Sequence, residues 1–269
     1  MAVAEASAPR FQMGRVATRT FSVIGANILT FTLLALIPAI PAAVMYWGWS
    51  RFTVGLNPVN RQFDLGALST ASAAGFVYFI CYFVFQAAVV HATVAYLNGK
   101  RASFGDALST GLANFFPLFP LSLLVGLGVL GGMILLIVPG FIIALMWSVA
   151  VPVRVVEHTG ITAALGRSSE LTRGHRWAIF GLVIAFIILE VIISAIFGAV
   201  SIAQYAFSNP GDPAAVMRAW TTSPSHLASS TVTAIIYSVI AAAGAASIYY
   251  ELRVIKEGIG PEALASVFD

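Results

Sequence analysis

Residues 121–156 read LSLLVGLGVLGGMILLIVPGFIIALMWSVAVPVRVV, from Leu121 to Val156, with Arg154 the only charge. As one α-helix the stretch would measure about 54 Å at ~1.5 Å per residue, against a hydrocarbon layer of about 30 Å. A single span cannot use all of it. Pro139 and Gly140 stand near its middle. Proline lacks a backbone donor and glycine permits a turn, so the pair predicts a tight hairpin between two spanning helices.

The rest of the chain has the same character. Of its residues 59% are hydrophobic and only 9% charged, and the mean hydropathy is +0.91. A soluble domain carries about a quarter charged residues. Nine per cent cannot cover a water-exposed surface, which excludes a soluble enzyme and a disordered chain. One cysteine, Cys81, excludes an internal disulfide scaffold. The expected fold class is an all-α membrane protein with six transmembrane helices, at about 22–47, 68–96, 115–138, 141–156, 177–205 and 226–250. Residues 1–21 precede them as an N-terminal segment, and 251–269 follow as a tail. Residues 1–20 hold no apolar run of signal-peptide kind.

Basic residues give the orientation. Six spans put the N-terminus, two loops and the C-terminus on one side, with 11 of the 14 Lys and Arg residues; Arg51, Arg61 and Arg218 fall on the other. By the positive-inside rule both termini are expected in the cytoplasm. The net charge is +3 and the pI about 9.2. The basic residues sit between apolar runs rather than in one dense patch, which favours anionic lipid head groups over nucleic acid as partner.

A repeat is expected within this layout. Met13, Val16, Ala17, Thr20 and Phe21 follow helical spacing, as do Phe104, Ala107, Leu108 and Leu112, and again Ile161, Ala164, Leu165, Ser168 and Leu171. Each set has polar residues on its other face, and Ser103 with Asp106 forms a capping-box pair. The unit reads as an interfacial amphipathic helix followed by a transmembrane hairpin, three times over.

No catalytic or metal constellation is visible. Gly126, Gly128 and Gly131 match the letters of a dinucleotide fingerprint, but inside an apolar span rather than a βαβ unit. They fit close helix packing instead, as do Gly128-x-x-x-Gly132 and the small residues from Ala241 to Ala246. None of the four histidines has metal-ligand spacing. No cofactor is implied. Intramembrane polar candidates are Glu190, in the middle of the fifth span, with His91 and Gln86 in the second. A carboxylate at mid-depth costs about 2.5–3.5 kcal/mol on insertion scales, so Glu190 must face the bundle interior, pair, or hold a proton.

The densest polar cluster runs from Arg154 to Arg176. Arg154 and Glu157 are three apart and are expected to pair. Arg167, Arg173 and Arg176 stand at head-group level and Trp177 anchors the next span. Guanidinium groups grip phosphate oxygens through paired donors, so the cluster suits a lipid phosphate as well as topological anchoring. The segment Asn209–Ser225, rich in Pro, Ser and Thr, reads as a surface loop.

The same stretch carries a family resemblance. Ile137-Val-Pro-Gly-Phe141, Pro152, Glu157, Ala163-Ala-Leu-Gly-Arg-Ser-Ser169, Leu171, Gly174 and Trp177, in this order and spacing, resemble the membrane domain attached to some bacterial glycerophosphoryl diester phosphodiesterases, and its stand-alone relatives. The match is best over about residues 135–185. Hydrolysis in the fused enzymes belongs to a separate soluble barrel, for which these residues leave no room. The resemblance therefore implies the membrane part, in a bacterial inner membrane, without the enzyme. It implies Pro139 and Gly140 in the hairpin, and Glu157, Arg167 and Ser168 in interfacial polar contacts. The expected function is non-enzymatic binding, organisation or presentation of phospholipid or lipid-derived phosphodiesters. A transporter using Glu190 and an assembly subunit of a membrane complex stand as alternatives, with a second membrane protein or a second copy as possible partner.

Overall fold

The computed structural model describes residues 11–55, 64–208, 211–221 and 223–258, and among these every regular element is a helix. Ten helices follow in order: α1 Met13–Ala26, α2 Ile28–Gly55, α3 Leu65–Leu97, α4 Phe104–Leu135, α5 Ile137–Met146, α6 Ala150–Glu157, α7 Ile161–Thr172, α8 Arg176–Ser208, α9 Pro213–Thr221 and α10 Pro224–Glu257. Six helical stretches are long and apolar enough to cross a membrane: α2, α3, α4, α5 with α6, α8 and α10. The chain is an all-α, multi-pass membrane protein.

Local chemistry sets the helix ends. Asp64 accepts from the Ala67 amide at 2.9 Å to start α3. Ser103 and Asp106 form the expected reciprocal capping box at α4. Ser223 accepts from the His226 amide, with Pro224 opening α10. Gly258 ends α10 at φ 65°, a left-handed conformation that costs glycine nothing.

Surface and interior are arranged for lipid. Large apolar side chains point outward along the spans, among them Phe116, Leu130, Ile134, Val200 and Phe207. The interior is closed by small residues where backbones approach. A methyl on Gly48 would lie 3.0 Å from the Ala67 carbonyl, and one on Gly244 would lie 2.9 Å from the Phe186 ring. Ala242, Ala243 and Ala246 are buried, so this small-residue face packs within the bundle.

The hairpin turns at Leu136, not at Pro139-Gly140. Leu136 is extended (φ −164°, ψ 147°), and Pro139 lies in the first turn of α5. The reason is the proline itself: an amide in a helix's first turn has no intrahelical acceptor, so proline loses nothing there. Gly140 serves the close approach of the two arms. A methyl on Gly132 would stand 2.8 Å from the Gly140 Cα.

The repeat is expressed unevenly. α1 is separated from α2 by a turn at Asn27, and α7 from α8 by residues 173–175. In the middle unit the amphipathic segment continues without a break into α4, through Pro117 and Pro120. The segment read as a surface loop holds α9, and its Trp220 indole donates to Ser201 Oγ at 2.9 Å while meeting the His226 ring edge-on. α10 runs to Glu257, well into the expected tail; residues 1–10 and 259–269 lie outside the described residues.

Candidate functional site

α10 is antiparallel to α8, and Tyr250 on α10 donates to the Leu97 carbonyl at the end of α3. The ends of α3, α6 and α10 and the starts of α1 and α8 therefore gather at one end of the bundle. Among the described residues most of the charge is there, Arg51, Asp64, Glu190 and Asp212 lying elsewhere. Three arrangements organise it.

The first is a buried clamp. Glu251 has no exposed surface, and its Oε1 lies 3.0 Å from Arg15 Nε. Its Oε2 accepts from Arg19, whose guanidinium also lies over the Tyr250 ring. Two cations of α1 thus hold one anion of α10. A lone buried carboxylate would be costly, and two arginines on one face supply its counter-charge.

The second is a closed ring of five side chains from α6, α7 and α10. Tyr249 donates to Glu157 at 2.9 Å. Arg167 donates from Nε to the other Glu157 oxygen at 3.3 Å. Arg167 also pairs with Glu257. Arg253 donates to Glu257 at 2.8 Å and to the Tyr249 hydroxyl at 3.3 Å, which completes the circuit. This corrects two expectations. Glu157 pairs with Arg167 and Tyr249 rather than with Arg154, because the α6–α7 hairpin swings Arg167 across it. Arg167 is consequently held by carboxylates and not left free for phosphate. A third expectation also fails. Ser168 is fully buried and donates to the Met146 carbonyl at 2.9 Å. That carbonyl is released by the break between α5 and α6, and Thr172 donates to it as well.

The third is a surplus of cations. Arg154, Arg173 and Arg176 make no ion pair among the described residues. Arg176 Nε is shielded from solvent and has no hydrogen-bond partner. Lys256 donates to the Glu170 carbonyl and lies in the combined field of Arg173, Arg167 and Arg176, against the one carboxylate of Glu170. Between the two arginines, His175 stacks on Phe11 at 5.9 Å. Burial pushes its imidazole below the ordinary value, and the positive charge of Lys256 pushes the same way. Beside this cluster runs an apolar groove of about 440 Å³ between α5 and the first turn of α8, and Trp177, the expected anchor, stands largely exposed along it.

The intramembrane candidates are not brought into one network. Gln86, His91 and Glu190 are each half-buried, and none makes a hydrogen bond among the described residues. His91 feels the charges of Asp106 and His158, and Glu190 lies near Tyr237 of α10.

The family model for a domain of unknown function (DUF7847) matches residues 66–252. The chain belongs to this family. The DUF7847 segment takes in α4 to α9 whole, with nearly all of α3 and most of α10, and closes one residue past Glu251. The arginines that clamp Glu251, on α1, lie outside it. No curated protein matches the chain, and no solved structure does.

The clamp and the ring were not read from the sequence. Glu251, Tyr249, Arg253 and Glu257 lie on the expected tail or its border; Tyr249 is 92 residues from Glu157 and Glu251 is 232 from Arg19. One signal was present: Tyr249, Arg253 and Glu257 recur at intervals of four, which places them on one helix face.

Proposed function

We propose that this protein is a non-enzymatic membrane protein that binds, organises or presents phospholipid, or phosphodiesters derived from it, at its charged end. The observation that carries the reading is the pair Arg173 and Arg176, without an ion pair among the described residues, with Arg176 lining an apolar groove beside an exposed tryptophan. Carboxylates occupy Arg15, Arg19, Arg167 and Arg253, so the bundle already supplies anions where its architecture needs them. A guanidinium group left without a carboxylate suits a lipid phosphate, which its forked donors can hold. The resemblance to the phosphodiesterase membrane domain belongs to the same proposal, as do a bacterial inner membrane and cytoplasmic termini, the latter on the 11-to-3 division of basic residues.

The test is mass spectrometry of lipids that copurify with the solubilised protein. An unrelated six-span protein and a variant with Arg173 and Arg176 changed to Gln serve as comparisons. Enrichment of a phospholipid class that is lost in the variant is the expected result. A profile equal to the bulk membrane in every sample overturns the reading. Transport through Glu190 has weaker support, because Gln86, His91 and Glu190 share no hydrogen bond. Glu190→Gln is accordingly expected to leave lipid retention unchanged.

A further inference from the structure

The groove between α5 and α8 has one charged residue among those lining it. Ile137, Ile142 and Leu145 of α5 form one wall, Trp177 and Phe180 of α8 the other, and Arg176 closes an end. Aromatic edges shape it: Phe180 meets Phe141 at 5.5 Å and Trp177 at 6.0 Å, both nearly perpendicular. Its volume of about 440 Å³ falls within the range of about 300–1,000 Å³ typical of ligand sites.

Three features meet at Arg176. It lines the apolar groove, its Nε is hidden from solvent without an acceptor, and it shares the neighbourhood of Lys256 with Arg173. A shielded guanidinium donor without a partner is uncommon, because buried polar groups are nearly always paired. One carboxylate, that of Glu170, stands among Arg173, Arg176 and Lys256, and at 72% exposed it leaves a net positive charge that a further anion would offset. A phosphate meets both needs at once, through the forked donors of arginine. A free phosphate would leave the groove empty, and a neutral lipid would leave the cations uncompensated. The charge and the apolar walls together fit one occupant.

We infer that the α5–α8 groove is a specific site for an anionic phospholipid, with one acyl chain between Ile142 and Phe180 and the phosphate on Arg176 and Arg173. This rests on the reading under Proposed function and narrows it to one place. Arg15, Arg19 and Arg253 are held by carboxylates, and Arg167 contributes to the field only behind its own. The site therefore depends on Arg176 and on the groove's walls far more than on the total basic charge.

The test uses the full-length protein in detergent, titrated with phosphatidylglycerol and followed by native mass spectrometry. Four variants are compared: Arg176→Gln removes the phosphate fork, Arg176→Lys keeps the charge alone, Ile142→Trp fills the groove, and Arg154→Gln removes a cation that does not line it. Ile142 and Arg176 are partly exposed, and elution as a single species with unchanged helicity confirms that each variant is folded. The wild type is expected to retain one phosphatidylglycerol under conditions that strip the others. Arg176→Gln and Ile142→Trp should each weaken that retention about tenfold or more, the scale of one charge-assisted hydrogen bond. Arg176→Lys should fall between, and Arg154→Gln should match the wild type. Selective retention that survives both Arg176→Gln and Ile142→Trp, or that falls equally in Arg154→Gln, overturns the groove and leaves the broader reading standing. No selective retention by the wild type overturns both.

Discussion

Replacing Glu251 with glutamine removes the one negative charge held between Arg15 and Arg19 and changes almost nothing else in shape. At 3.0 Å and an effective dielectric constant of about 20, a single pair attracts by about 5 kcal/mol before desolvation is counted. Breaking a buried pair by deleting one partner costs about 3–5 kcal/mol, because the other charge is left uncompensated. Here the survivors are the arginines, whose side chains are 34% and 24% exposed. They can turn partly toward water, and the expected loss falls to about 2–3 kcal/mol. The glutamine amide would also point donors at guanidinium donors. On the scale of a domain of 150–250 residues this is a fall of roughly 4–12 °C in Tm. The assay is thermal unfolding of the purified protein in one detergent, followed by loss of the monodisperse species. The triple variant Arg15→Gln, Arg19→Gln, Glu251→Gln leaves no uncompensated charge and should recover part of the loss. A Glu251→Gln protein as stable as the wild type, or a triple variant that loses the sum of its singles, would refute the claim that the clamp is a buried, charge-compensated unit.

Four further outcomes are expected from the same assay. Gly140→Ala should cost about 1–3 kcal/mol by forcing apart the α4–α5 arms, because its methyl would lie 2.7 Å from the Met133 amide nitrogen; Gly131→Ala, which meets nothing within 4 Å, should be tolerated. Tyr249→Phe should cost about 1–2 kcal/mol by leaving a Glu157 oxygen without its donor, and Tyr249→Phe with Glu157→Gln should show strong coupling. Ser103→Ala should cost about 1 kcal/mol through the lost cap of α4. Finally, the folded protein holds the His175 imidazole below the ordinary value of 6.5, so the unfolded chain takes up the proton first. Stability should be full above about pH 6.5 and decline below it; His175→Phe, which keeps a ring against Phe11, should flatten that decline, and an identical decline in the variant would contradict it.

The spans were legible because hydropathy over some twenty residues is a local, additive signal. The Ser103–Asp106 cap was legible for the same reason, since both partners lie within one turn. Pro139-Gly140 points to a hairpin three residues past the observed turn at Leu136. A proline is equally at home in the first turn after a break, and only the packing of Gly140 on Gly132 distinguishes the two. The charged end was legible in composition but not in pairing. Arg154 and Glu157 satisfy the helical spacing rule, yet Glu157 is taken by Tyr249 and Arg167, because helices brought together by tertiary packing offered better partners. Glu251 was invisible for a plainer reason. A single acid after an apolar run reads as the start of a solvated tail, and its burial depends on two arginines near the other end of the chain.

That last separation has a consequence for how the protein is made. Arg19 and Glu251 are 232 residues apart, and at about 5–20 residues per second a ribosome needs roughly 10–50 s to travel between them. Throughout that interval the arginines of α1 lack their partner, while span after span enters the bilayer. α1 cannot settle until α10 has been delivered, so a helix synthesised ahead of all six spans is among the last to dock. Truncation before α10 should therefore leave α1 open to proteolysis even with the earlier helices in place, and the bundle's completion can be timed by the moment that protection appears.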